Sequence, residues 1–412
     1  MTGPWFADAL VRQHAATADG ELAIVDGSTT WSWEQLDQRV EAVAAALARV
    51  GLRPGRHVAL VAAPSAQAVA GLLAILRAGG VAAPVPMGLT EPELRAVLDL
   101  LRPSVVLRDA ASADGAAADT AVTAAGTAAG TAAGTGPVLV SLDGETEPGA
   151  PVVPRAAPRA ADAPAVVVLT SGTTGRPKGV VLSTTALAAS ADAWLAALPT
   201  ATGWVLAVGL GHVAGLGIIW RAIAGRVPIR IIPSNDPDEL RFAFGAIPPP
   251  SHVSLVPAQL ARVLERAIGA PPPSLRAVLL GGGPIPPALV ERAVRAGWPL
   301  FPTYGLSEAG SGVTVLATAE AAAHPSSAGR PLPGVEVRIQ DPDSEGVGEI
   351  LVRTPARFSG YLGEDATTAD IVDAEGWLRT GDLGSLDDAG RLTVADRRLD
   401  RIVRGGENVA PA

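Results

Sequence analysis

Thr170-Ser-Gly-Thr-Thr-Gly-Arg-Pro-Lys-Gly-Val180 is the stretch on which the reading of this chain turns. It follows the apolar run Ala165–Leu169 and precedes a second one, Val180–Leu182, an order that predicts strand, glycine-rich loop, strand. Four hydroxyl side chains (Thr170, Ser171, Thr173, Thr174) and three glycines (Gly172, Gly175, Gly179) surround Lys178. Glycine lets the backbone come close to an anion, while N–H groups, hydroxyls and an ammonium supply donors and charge. The stretch therefore reads as a cradle for a polyphosphate. It is not a Walker A loop, because Pro177 precedes the lysine, Gly179 follows it, and a β-rich run comes next where that motif opens a helix. An ordinary polar hairpin is the plain alternative, and it accounts poorly for this density of donors and glycine.

The same stretch resembles the phosphate-binding signature of AMP-forming adenylating enzymes, the group of acyl- and aryl-CoA ligases, peptide-synthetase adenylation domains and luciferases. The resemblance implies ATP and Mg²⁺ at the site and CoA as co-substrate.

Composition agrees with a globular enzyme. At 412 residues the chain exceeds what one core holds, and 48% hydrophobic against 18% charged residues excludes a disordered chain. A net charge of −9 argues against a nucleic-acid partner. No apolar stretch is long enough to span a bilayer, and the N-terminus lacks the basic region of a secretory signal. The absence of cysteine removes disulfides, thiolate metal sites and cysteine nucleophiles, and suits a cytoplasmic location. Lys178 is the only lysine in the chain.

Ser32-Trp-Glu-Gln35 has the form of a capping box, and Leu36, Val40, Val43, Leu47 and Val50 follow at helical spacing before Gly51. Strands at 57–62, 81–85 and 104–107 alternate with helices over 66–78 and 91–101. A second series has strands at 204–208, 227–232, 252–256, 277–280 and 299–303. Such alternation predicts mostly parallel sheets covered by helices. Residues 109–136 are low-complexity and read as an exposed insertion. From Val335 short alternating segments predict a small β-barrel-like subdomain. The expected fold is α/β: two helix-covered, mostly parallel sheets plus that β unit. Its divisions are 1–160, 161–330 (nucleotide and acid site), 331–395 and a hinge segment at 396–412. This matches the large N-terminal part of the resembled family.

Further constellations gain meaning from the resemblance. Gly281-Gly-Gly283 follows a strand, and bare backbone there would let a flat base and an acyl group approach. In Thr303-Tyr-Gly-Leu-Ser-Glu308 the resemblance implies that Tyr304 packs on adenine and Glu308 holds Mg²⁺, with Thr174 as a second ligand. Thr303, Gly305 and Ser307 complete that part of the nucleotide site. Asp382 in Arg-Thr-Gly-Asp would accept hydrogen bonds from the ribose, aided by Arg397 of the Asp396-Arg-Arg-Leu-Asp400 hinge. Leu399 departs from the Asp or Lys usual there. By resemblance Lys178, His212 and Glu308 act on the reacting groups, and the acid lies among His212, Arg221, Gly282 and Ser311. The alternatives are a satisfied structural histidine, a core tyrosine, a solvated glutamate and a turn aspartate.

Arg221 sits in the apolar run Ile-Ile-Trp-Arg-Ala-Ile, where a cation needs a partner or a route to water. Together with Tyr-Gly-Leu-Ser-Glu-Ala-Gly-Ser, it gives the chain its resemblance to o-succinylbenzoate–CoA ligases, in which a basic residue at this place pairs with the substrate's second carboxylate. Snorkelling or a local acid is the competing account. The implied reaction is ATP-dependent formation of an acyl-adenylate and then a CoA thioester. Other aryl- or fatty-acid–CoA ligases, a component that loads a carrier protein, and a non-catalytic nucleotide-binding remnant are the alternatives. A homodimer stays open. The resembled enzymes continue into a C-terminal domain bearing a second catalytic lysine, so this chain alone is expected to bind nucleotide and acid yet adenylate poorly.

Overall fold

The computed structural model describes residues 7–17, 20–109, 137–142, 160–171, 177–232, 236–245, 248–266, 270–397, 402–404 and 407–409. Nearly all of the low-complexity segment lies outside them. In chain order the strands are β1 (Leu22–Asp26), β2 (Thr29–Ser32), β3 (His57–Val61), β4 (Val81–Pro84), β5 (Val105–Arg108), β6 (Val138–Ser141), β7 (Pro164–Ser171) and β8 (Pro177–Ser183). Then come β9 (Trp204–Leu206), β10 (Ile229–Ile231), β11 (His252–Leu255), β12 (Ala277–Leu280), β13 (Leu300–Tyr304), β14 (Thr314–Val315) and β15 (Arg330–Pro331). The last are β16 (Glu336–Gln340), β17 (Gly348–Arg353), β18 (Gly360–Tyr361), β19 (Leu378–Leu386), β20 (Leu392–Arg397), β21 (Ile402–Arg404) and β22 (Glu407–Val409).

Two large sheets result, both parallel at their centres; the seven-stranded one is antiparallel at its β18 edge and parallel at its β6 edge, and the nine-stranded one is antiparallel at both edges. One has seven strands in the order β18-β8-β7-β4-β3-β5-β6, the other nine in the order β15-β14-β13-β12-β11-β9-β10-β1-β2. Their strands interleave along the chain: β1 pairs with β10, β7 with β4, and β18 with β8. A four-stranded antiparallel sheet, β16-β17-β19-β20, is the small β unit expected after Val335. No helix among the described residues is long and apolar enough to cross a membrane.

The period-2 alternation of each strand sends its side chains to two cores. Val58, Leu60, Val166 and Val168 of one sheet join Ile24, Trp204 and Leu206 of the other in a shared central cluster. Between the sheets lie the helices Trp33–Arg49, Ala66–Arg77, Thr184–Ala197 and Val213–Gly225. The opposite faces are covered separately: Ala59, Val61 and Val167 pack with the helix Glu91–Leu101, and Val253, Leu255 and Val278 with the helices Pro257–Glu265 and Pro287–Arg295. The capping box at Ser32 forms as its sequence predicts, with the Gln35 N–H donating to Ser32 Oγ and the Ser32 N–H to Gln35 Oε1. Buried Arg77 ties the first three helices together through Asp8 (2.5 Å), Asp37 (2.5 Å) and Glu41 (3.1 Å).

Candidate active site

In open α/β sheets, ligands collect beyond the carboxyl ends of the parallel strands. Here those ends carry Thr170 and Ser171 (β7), Gly281 (directly after β12) and Thr303 and Tyr304 (β13). Gly172, Thr173, Thr174 and Gly175 lie outside the described residues. What remains of the cradle is well placed: β7 and β8 run antiparallel with Thr170 opposite Lys178 and Ser171 opposite Pro177.

Gly179 plays a different part from the anion-facing one that its motif suggests. Its partner is Leu169, and an added Cβ would lie 2.9 Å from Val167 Cγ1 and 3.1 Å from Leu362 Cβ. The bare Cα makes room for the segment after β18, whose Leu362 N–H donates to the Gly179 carbonyl at 2.8 Å. That segment brings Tyr361, which nothing in the motif order singled out. Its ring lies under Lys178, with Nζ 4.7 Å from the centroid, and its hydroxyl donates to Glu308 Oε1 at 2.7 Å. The lysine also pairs loosely with Glu364 at 3.8 Å. Burial first, and then the Glu308 charge and hydrogen bond, push the Tyr361 phenol well above its ordinary value.

Tyr304 donates its hydroxyl to Asp382 Oδ2 at 2.7 Å. Asp382 is buried in β19, where its N–H donates to Thr380 Oγ1, and its backbone pairs with that of Arg397 in β20. The Arg397 side chain lies outside what is described. Gly281 packs against Thr303: a Cβ there would sit 2.6 Å from the threonine Oγ1. Gly282 has φ +78°, a conformation that favours glycine, and Gly283 faces open space.

The turn after Tyr304 is tight. Ser307 and Glu308 form one turn of 3₁₀ helix, and Gly305 lies so close to the Ser311 carbonyl that no side chain fits. Ser311 itself has φ +104°, a strained position for a non-glycine residue. The turn is held by hydrogen bonds from the Ser311 N–H to the Leu306 carbonyl and from buried Ser190 Oγ to the Gly310 carbonyl.

His212 occupies the cap position at the start of the helix that carries Arg221, and the two differ in their surroundings. His212 is exposed, precedes the helix Val213–Gly225, and makes no capping bond with its side chain. Arg221 is 2% exposed, and its guanidinium stands 4.5 Å from the Trp204 ring centroid and 5.4 Å from that of Trp194. Its Nε has no acceptor, and among the described residues no carboxylate pairs with it. The side chain is buried, and no ion pair to a local acid forms among the described residues. Burial pulls its pKa down to about 9. Trp194 in turn lies on Gly312, where a Cβ would overlap the indole, so the cation is linked to the Ser311 turn through one ring. Behind Trp204 stands His252, 4.8 Å away centroid to centroid and bonded to Ser251 and the Pro199 carbonyl. Burial holds it neutral, with its pKa lowered to about 4.

The donor set suits a magnesium ion that keeps substrate phosphates and water as its other ligands. Such an ion takes only one or two carboxylates from the protein, and Glu308 Oε2 has no partner among the described residues. No group of three or more acidic, histidine or cysteine side chains able to cage a metal is present among them.

With this geometry in place, comparison with known proteins decides the family. Residues 11–362 match the family model described as AMP-binding enzyme. The chain belongs to the AMP-binding enzyme family. A 2-succinylbenzoate–CoA ligase from Bacillus cytotoxicus is 39% identical over 264 residues, which are 60% of this chain and 52% of that protein. The chain thus spans about half the length of the curated relatives it matches. Among solved AMP-binding enzymes, o-succinylbenzoate CoA synthetase from Bacillus subtilis in complex with the acyl-adenylate OSB-AMP superposes with a TM-score of 0.88. It is 26% identical, and the match covers 98% of this chain and 80% of that one. The same enzyme with ATP and magnesium gives 0.87, again at 26% identity, with 98% of this chain and 82% of that one covered. The expected architecture of an AMP-binding enzyme is therefore present.

Proposed function

We propose that this chain activates a carboxylic acid with ATP, forming an acyl-adenylate that then passes to the thiol of CoA. In the first half-reaction a carboxylate oxygen attacks the α-phosphorus, the α–β anhydride bond breaks, and pyrophosphate leaves. In the second, the thiol attacks the acyl carbon, the acyl–phosphate bond breaks, and AMP leaves. The protein contributes positioning and charge rather than a covalent intermediate.

Lys178 stands opposite Thr170, and its ammonium can exchange the loose Glu364 pair for phosphate oxygens. Glu308 would hold Mg²⁺, which when bound neutralises charge on the phosphates. Asp382, oriented by Tyr304, would accept the ribose hydroxyls, and Gly283, which faces open space, would leave room for the base and the acyl group. A cytoplasmic setting fits the cysteine-free composition.

The acid we propose is o-succinylbenzoate, which carries a second carboxylate. The observation that supports this choice is Arg221: a buried guanidinium held between two indoles with no counter-ion among the described residues. An unpaired buried cation is costly to keep, and a ligand carboxylate would remove that cost. Further support comes from the related proteins named above, which are succinylbenzoate–CoA ligases. The test is calorimetric binding of two non-hydrolysable acyl-AMP analogues, o-succinylbenzoyl and a medium-chain acyl, to this chain and to Arg221→Ala. A preference for the succinylbenzoyl analogue that vanishes in the variant is expected. Equal binding of both, or tighter binding of the aliphatic one, would reassign the acid.

A further inference from the structure

The chain contains two tyrosines, and both donate their hydroxyl to a carboxylate of the candidate site: Tyr304 to Asp382, Tyr361 to Glu308. Tyr361 does more than its counterpart, because its ring also carries the only lysine. From this arrangement we propose that Tyr361 is a positioning residue that couples Lys178 to Glu308, setting the distance between the cation that grips phosphate and the carboxylate that takes the metal. The inference rests on the ATP reading given above and deepens it.

The local structure fixes Tyr361 from several sides. β18 pairs antiparallel with β8, with Tyr361 opposite Val180 and Gly360 opposite Val181, which joins the tyrosine to the strand of Lys178. On the other side the Phe358 N–H donates to the Glu308 carbonyl at 2.8 Å, so the same short strap is tied to the backbone of the carboxylate. The edge of the Phe358 ring meets the tyrosine ring, with centroids 5.1 Å apart and planes at 68°. The Tyr361 N–H donates to Thr368 Oγ1 at 2.9 Å. A side chain so enclosed has one orientation, and its two ends reach the two charges.

The chemistry of the two contacts differs in a useful way. A hydroxyl that donates to a carboxylate fixes that carboxylate without neutralising it, and it occupies one oxygen while the other stays available for a cation. The ring face holds the ammonium by electrostatic attraction to the π system, leaving its three N–H groups free to point at oxygens. The remaining contact of Lys178, to half-exposed Glu364 at 3.8 Å, is too long to count as a hydrogen bond. Among the described residues, Lys178 is therefore held in place without being committed to an acceptor.

Two variants of the full chain test this, Tyr361→Phe (ring kept, hydroxyl lost) and Tyr361→Leu (both lost), each checked for native folding by circular dichroism. The readout is the Mg²⁺ concentration at half-maximal ATP binding, set against the affinity for AMP, which needs neither the metal nor the polyphosphate grip. Losing a hydrogen bond to a charged group predicts that Tyr361→Phe raises the Mg²⁺ midpoint about ten-fold while AMP affinity holds. Tyr361→Leu should in addition weaken ATP binding at saturating Mg²⁺. An unchanged Mg²⁺ midpoint in Tyr361→Phe would overturn the proposal, as would equal loss of ATP and AMP affinity. A second measurement does not depend on nucleotide: phenolate absorbance titrated with alkali, wild type minus Tyr361→Phe. The Tyr361 component should ionise well above an ordinary phenol, and ionisation at the ordinary position would refute the contact with Glu308. If the wild-type chain binds neither ATP nor AMP, the ATP reading fails while the phenolate titration still decides the tyrosine's place.

Discussion

Replacing Arg221 with methionine should make the ligand-free protein more stable and its site less useful. Bringing a cation out of water costs several kcal/mol even after the surroundings relax. A drop in pKa from above about 12 to about 9 corresponds to about 4 kcal/mol of preference for the uncharged form. Because a guanidinium keeps its proton in proteins, that preference acts as a cost to folding at neutral pH. The sign follows from linkage: a base whose folded pKa lies below its unfolded one binds more protons unfolded, so the cost stands in full below about 9. Contacts with Trp204 and Trp194 return about 2 kcal/mol between them. Methionine has a similar reach, adapts to irregular space and carries no charge. A net gain of about 1–3 kcal/mol, or about 1–4 °C in the thermal midpoint, is therefore expected. The assay is thermal unfolding followed by circular dichroism, with and without the o-succinylbenzoyl-AMP analogue. Ligand should raise the midpoint of the wild type and much less that of Arg221→Met. A variant that melts several degrees below the wild type without ligand would show the guanidinium to be structural, and the acid assignment would lose its support.

Three further outcomes can be stated. Gly312→Ala drives a methyl group into the Trp194 indole, so about 1–3 kcal/mol of stability should be lost along with affinity for the acyl-adenylate analogue; intact affinity would separate Trp194 from the acid pocket. Asp382→Asn leaves the Tyr304 hydroxyl facing an amide and should weaken AMP binding about ten-fold in calorimetry, a loss that would be missing if the ribose bound elsewhere. His252 is held neutral with its pKa near 4, below its unfolded value, so the unfolded chain binds more protons between about pH 6.5 and 4 and stability falls as pH drops through that window. His252→Gln should flatten this acid limb in urea titrations run across the same pH range, and an unchanged slope would assign the acid lability to another group.

The sequence made the sheets legible because their strands are continuous apolar runs between glycine and proline, and the helix Trp33–Arg49 because its cap and its period agree. Lys178, Glu308, Tyr304 and Asp382 were picked out as candidates through motif order, which requires no distances, and the structure links them in pairs through the two tyrosines. Tyr361 was not: a Gly-Tyr dipeptide carries no periodicity, and only the pairing of β18 with β8 brings it across the chain to Lys178. Its scarcity, one of two tyrosines, was the single clue on offer. β1 and β2 were passed over as well, being short segments whose place in the nine-stranded sheet depends on a partner, β10, two hundred positions away. The identity of the groups around Arg221 was equally hidden, since Trp194 and Trp204 come from separate elements.

The strap at β18 also has a meaning for how the protein is made. β8 ends at Ser183, yet the strand that covers its outer edge begins at Gly360. During synthesis the ribosome needs on the order of ten to forty seconds to add the intervening chain. Throughout that interval Val180 and Val181 present open backbone donors and acceptors on an apolar strand, the kind of edge to which other nascent chains can add. The strand that carries Tyr361 is thus also the one that covers this edge of the first sheet, so on the proposed reading a chain that has not finished its fold has not assembled its site.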